Sequence, residues 1–218
     1  MSRDVILTRV RAAGAKTAKR ATRQLVAPPS LTTSGDATIA RFRAMAAAKG
    51  ITVADAAAQN AIPQALAAAL TATGVEARRV RLNDPAMASL MWRAMGLSIE
   101  LGAAEPHDAM ALSTAVAAVA ETGTLMLTSG ADNPATLALL PETHVIVIDA
   151  MKIVGTFEDA LRILRNHCGT SLPRTVNLIS GASRTGDIGG RIVHGAHGPR
   201  RLIVVMVANE FRAPHSAP

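Results

Sequence analysis

Between Ser180 and Pro199 the chain reads SGASRTGDIGGRIVHGAHGP, the densest grouping of chemistry-bearing side chains in the sequence. Ser180, Ser183 and Thr185 bring hydroxyls, Gly181 and Gly186 free the backbone, and Arg184 adds a fixed planar cation. Asp187 is placed to cap a helix opening with IGGRIV. Helix-start N–H groups beside an arginine suit a carboxylate or a phosphate. The same residues also fit an ordinary capped turn in which Arg184 pairs with Asp187.

A second group, Glu121, Thr122, Gly123 and Thr124, stands where an alanine-rich helix is expected to meet the strand LMLT. Gly123 permits a turn that other residues resist, and the threonines offer hydroxyls. Glu121 could be a base, a nucleophile or a hydrogen-bond acceptor, or could simply lock the turn. His194 and His197 have metal-compatible spacing, but no third ligand stands nearby and no metal is assigned. His197, followed by Gly198 and Pro199, could instead hold an imidazole over the anion site for proton transfer. No GxGxxG fingerprint or P-loop lysine motif occurs, so a standard dinucleotide or nucleoside-triphosphate site is unsupported.

Positioning these groups requires a sheet. VNLI (176–179) and LIVVMV (202–207) read as buried strands flanking the Ser180–Pro199 segment, which predicts a site at strand carboxyl ends. Upstream, helices are expected over ATIARFRAMAAAKG, IPQALAAALTATG, DPAMASLMWRAMG, AMALSTAVAAVA (109–120) and FEDALRILRN. Strands are expected at ITV, VEARRVRL, LSIEL, LMLT and THVIVID. Alternation of this kind predicts an α/β protein with an open, largely parallel sheet and helices on both faces. Residues 1–35 read as a basic helix, ending near Gly14, plus a Pro/Ser/Thr-rich linker. Residues 36–218 read as the α/β domain.

The formal charge of +7 on 218 residues belongs mostly to that arm. Residues 1–23 carry Arg3, Arg9, Arg11, Lys16, Lys19, Arg20 and Arg23 against Asp4, leaving a nearly neutral body. Val5, Ile6 and Val10 fit one face of a short docking helix. With Phe42, Trp92, Phe157 and Phe211 as its aromatics and no tyrosine, the chain can hardly build a base-stacking platform, which argues against a nucleic-acid partner. One cysteine, Cys168, excludes an internal disulfide and any four-cysteine cluster within the chain. No apolar run reaches membrane-spanning length and no secretory signal is evident, so a cytoplasmic location is expected.

Taken together, AETGT (120–124), SGASRTGDI (180–188) and GAHGP (195–199) resemble the LUD-domain family, of the lactate-utilisation protein C type. The opening SRDVILTRVRAA is similar to the N-terminal helix of those proteins. The family pattern has proline where this chain has Ala182, and His194 lies outside it. The resemblance implies a Rossmann-like fold similar to the NagB/RpiA/CoA-transferase group. It also implies a part in oxidising L-lactate to pyruvate beside partner subunits that carry the iron–sulfur clusters, this chain binding no cofactor alone. On that reading Arg184, with Ser183 and Thr185, binds a small carboxylate or phosphate-bearing ligand, and Glu121 and His197 handle protons. The competing expectation is a free-standing CoA-transferase-like or sugar-phosphate isomerase-like enzyme using Glu121. A covalent CoA thioester abolished by Glu121→Gln distinguishes it.

Overall fold

The computed structural model describes residues 3–14, 35–169, 171–188 and 190–209; of these, the side chains of 13, 14, 187, 188 and 209 lie outside the description. The linker expected before Asp36 falls largely outside it, as do Phe211 and His215. Helix α1 (Arg3–Gly14) forms as expected, and its described side chains, Val5, Ile6 and Val10 included, are exposed.

Six strands build the central sheet: β1 (Thr52–Ala58), β2 (Arg79–Leu82), β3 (Ser98–Leu101), β4 (Met110–Thr114), β7 (Thr143–Asp149) and β12 (Arg201–Asn209). Their order is β1-β12-β7-β4-β2-β3, and every neighbouring pair is parallel. Strands β4 and β7 are buried almost throughout, as expected where both faces of a parallel sheet are covered.

One face packs on α3 (Ile62–Ala72) and the short α4 (Pro85–Ala88). Ile62, Leu66, Ala69 and Leu70 recur at helical spacing and meet Val80, Leu112, Val145, Ile203 and Val205. Trp92 fills the same layer, and its indole N–H donates to the Met87 carbonyl at 2.7 Å. Asp84 caps α4 as the Asp-Pro pair predicts, accepting from Ala86 and Met87 N–H. The long helix expected over 84–96 is instead α4 plus one turn of tighter helix, Trp92–Met95.

The opposite face departs further from expectation. It carries α2 (Asp36–Ala48), α5 (Thr136–Leu139) and a second sheet of order β8-β5-β6-β9. That sheet comprises β5 (Ala117–Val119), β6 (Thr124–Thr128), β8 (Ile153–Val154) and β9 (Val176–Ile179). The helix expected over 109–120 is therefore two strands, β4 and β5. Ten consecutive small or apolar residues have no polar face to offer solvent, and burial on both sides overrides alanine's helix preference. Alternate residues divide between layers: Ala118, Leu125 and Leu127 pack with Ile146 and Val204 of the central sheet. Ala117, Val119 and Met126 pack with Ala160 and Leu164 of α6 (Phe157–Cys168). Strand β9 edges this sheet and is half exposed, Leu178 being 54% accessible, so VNLI is not the buried strand its composition suggests.

Candidate functional site

Four chain segments converge on one corner. Helix α2 ends at Ala48, and Lys49 and Gly50 lead into β1. The β5–β6 hairpin turns through Glu121, Thr122 and Gly123. Strand β9 runs antiparallel to β6 with Ile179 opposite Leu125, which delivers Ser180 beside Thr124. The loop from Gly195 to Arg200 feeds β12. This corner sits at the amino ends of β1 and β12, so the expectation of a carboxyl-end site is corrected. Ser180–Pro199 precedes β12, and it follows a strand of the second sheet rather than of the central one. A pocket of ≈ 240 Å³ does lie at the carboxyl ends of β4 and β7, lined by Ala115, Val116, Asp149, Lys152, Asn166 and His167 among others; none of the motif residues lines it.

The corner is joined by polar contacts. The Lys49 ammonium donates to the Thr122 carbonyl and to Ser180 Oγ. Thr124 Oγ1 donates to Ser180 Oγ at 3.0 Å, and the Thr122 and Thr124 hydroxyls lie 2.8 Å apart. Arg184 Nη2 donates to the Lys49 carbonyl at 3.4 Å. Among the described residues neither Lys49 nor Arg184 has a carboxylate partner, and the Glu121 carboxylate has none of its own. Two cations with N–H groups to spare are thus brought to a chain of three hydroxyls, which closes on itself where Ser180 Oγ donates to the Thr122 carbonyl at 3.5 Å.

Gly123 is what lets the hairpin turn reach α2. Its φ is +63°, and a Cβ there would come within 3.0 Å of Met45 and the Ala46 backbone nitrogen. Any side chain would strain the turn and push it off the helix.

Of the residues singled out in sequence, Thr122, Gly123, Thr124, Ser180, Gly181 and Arg184 come together here. Gly181 stands against Lys49, 3.6 Å from its Cβ to the position a Cβ would take. Ser183 is tied to the loop beyond: its N–H donates to the Pro199 carbonyl at 2.8 Å, and Gly195 N–H donates to the Ser183 carbonyl at 2.9 Å. Gly198 packs against Ser183. His197, in that loop, is exposed and has no hydrogen bond into the corner; His194 is exposed in β11 (Arg191–His194).

Thr185 pairs with Val193 across an antiparallel hairpin of β10 (Arg184–Ile188) and β11. The helix that Asp187 was expected to cap is therefore absent. Asp187 lies within β10, and its side chain is outside the described residues. The β-branched residues of RIV and the glycines between the strands favour a hairpin over a helix. Lys49 was missed: a lysine before a glycine at a helix end reads as a solvated complement to the dipole, and its partners lie 73 and 131 positions away.

Fold and corner together define a Rossmann-like α/β protein with a polar, cationic cluster beside its central sheet. The family model for the LUD domain matches residues 107–207. Lactate utilization protein C of Deinococcus radiodurans is 35% identical over 153 residues, covering 67% of this chain and 68% of that protein. This chain belongs to the LUD-domain family. An uncharacterized protein of Neisseria meningitidis serogroup B is 37% identical over 105 residues, 47% of this chain and 43% of that one. Lactate utilization protein C of Bacillus subtilis is 32% identical over 93 residues, 42% and 39% of the two chains. The matches thus span less than half the length of the Neisseria and Bacillus relatives. A crystal structure of a DUF162 family protein from Deinococcus radiodurans superimposes with a TM-score of 0.60 at 26% identity, covering 81% of this chain and 99% of that one.

Proposed function

We propose that this protein is the non-redox component of a cytoplasmic lactate-utilisation system in which partner subunits bearing iron–sulfur clusters oxidise L-lactate to pyruvate. Its corner site binds a small carboxylate or phosphate-bearing ligand. Family membership and the names of the relatives support the lactate assignment. One cysteine cannot hold a four-cysteine cluster, which fits a division of labour between subunits. No helix of the described residues is long and apolar enough to cross a membrane.

The observation that carries the binding role is that Arg184, with N–H groups to spare, reaches the Lys49 carbonyl at the corner where the Thr122, Thr124 and Ser180 hydroxyls meet, all from segments far apart in sequence. A guanidinium with N–H groups to spare offers an oxyanion two parallel donors. Glu121, at the same turn, is the candidate for proton transfer, and His197 would need its exposed loop to turn inward.

Calorimetric titration with L-lactate tests the site. Arg184→Ala should weaken binding by about tenfold, the usual consequence of losing one charge-assisted contact, and unchanged affinity would remove the assignment. The basic arm bears on the partners. Arg3, Arg9 and Arg11 on α1, beside exposed Val5, Ile6 and Val10, suit an acidic protein face. Deleting residues 1–23 is expected to abolish co-purification with the iron–sulfur subunits while leaving the body folded; intact assembly would refute the arm's role.

A further inference from the structure

We propose that Lys49 is the second cation of the corner site, and that with Arg184 it selects a doubly charged phosphoryl group over a singly charged carboxylate. This rests on the reading of the corner as a binding site and narrows what it binds.

The geometry makes Lys49 more than a surface lysine. Its ammonium has three protons, of which two are directed to the Thr122 carbonyl and Ser180 Oγ. The third is free for a ligand, and the other two fix where it points. Arg184 spends one N–H on the Lys49 carbonyl, a contact that brings the guanidinium up against the end of α2. A Cβ on Gly50 would lie 3.3 Å from that same Nη2, so the glycine leaves room for the approach. The remaining guanidinium N–H groups have no partner among the described residues.

No described carboxylate is bonded to either cation. One carboxylate would neutralise one of them. A phosphoryl dianion carries charge enough for both, and its several oxygens can accept from the uncommitted N–H groups of Lys49 and Arg184. Both cations being partly solvated, the preference is expected to be moderate and to weaken with salt. The chemical class is therefore a phosphate monoester, or inorganic phosphate itself.

The test titrates the full chain in phosphate-free buffer with inorganic phosphate and, separately, with L-lactate. The variants are Lys49→Met, Lys49→Arg and Arg184→Ala, with the thermal midpoint of each recorded. The wild-type protein is expected to bind phosphate about tenfold more tightly than lactate. Lys49→Met should weaken phosphate binding about tenfold more than it weakens lactate binding, so that the preference is lost, and Lys49→Arg should keep it. Equal affinity for the two anions in the wild-type protein overturns the proposal without relying on any variant. So does a Lys49→Met protein that retains the preference. Lactate binding that is lost with Arg184→Ala, but without any phosphate preference, sinks the Lys49 assignment and leaves the carboxylate site standing. Absence of binding by either anion sinks both.

Discussion

Acidification from pH 7 to pH 4 is expected to cost this fold about 3 kcal/mol through one side chain, His144. The residue lies in β7, 0% exposed, with Nε2 against Ser113 Oγ at 2.5 Å and Nδ1 lacking any partner. Burial pushes its pKa down from 6.5 to about 3, because an imidazolium there would face apolar β-strands and no carboxylate. Above pH 6.5 the ring is neutral folded or unfolded, and it contributes no pH dependence. Below 6.5 the unfolded chain takes up a proton that the folded one refuses, so stability falls by about 1.4 kcal/mol per pH unit until about pH 3. Urea unfolding between pH 7 and 4 measures the slope. The double variant His144→Met with Ser113→Ala removes both polar partners and should flatten that part of the curve. An unchanged slope in the double variant would assign the acid sensitivity elsewhere.

The second large effect sits two strands away. Arg81 and Asp108 are 8% and 5% exposed and form a two-point pair, Nε to Oδ2 at 3.0 Å and Nη2 to Oδ1 at 3.3 Å. Asp108 also accepts the Glu105 N–H at 2.8 Å, and Glu100 stands 3.5 Å from Arg81. Burial pushes the Asp108 carboxyl up, but the Arg81 bonds and the Glu105 N–H outweigh it and hold the carboxyl below its ordinary range. Asp108→Ala strands a buried guanidinium with Glu100 as its remaining ion-pair partner, and is expected to cost about 3 kcal/mol at pH 7. The lowered carboxyl pKa sets the sign: the stabilisation is present above about pH 4, the unfolded value, and is lost as pH falls through the folded one. A chemical-denaturation midpoint within error of the wild-type value would show the pair to be dispensable.

The parallel sheet was readable because its strands carry runs such as THVIVID and LIVVMV, which little else but a doubly covered strand can accommodate. The second sheet was not. MALSTAVAAV has alanines that favour helix locally, and only the packing of Ala118 and Leu125 against Ile146 decides otherwise. At the corner, the hydroxyl and arginine motifs announced themselves by composition. What holds them, Lys49 and the fit of Gly123 against α2, depends on residues brought together across most of the chain, for which local spacing carries no signal. Asp187 illustrates the opposite error: a good helix cap by residue type stands inside a hairpin because the segment after it prefers extended backbone.

Strand β12 lies between β1 and β7, although it is last in sequence among the described strands. During synthesis, β1 therefore has no neighbour until the ribosome has passed Asn209. Its unpaired edge must wait through the making of everything between. Closure of the sheet is a late, long-range event, and until it happens β1 presents an open edge on which other chains could pair.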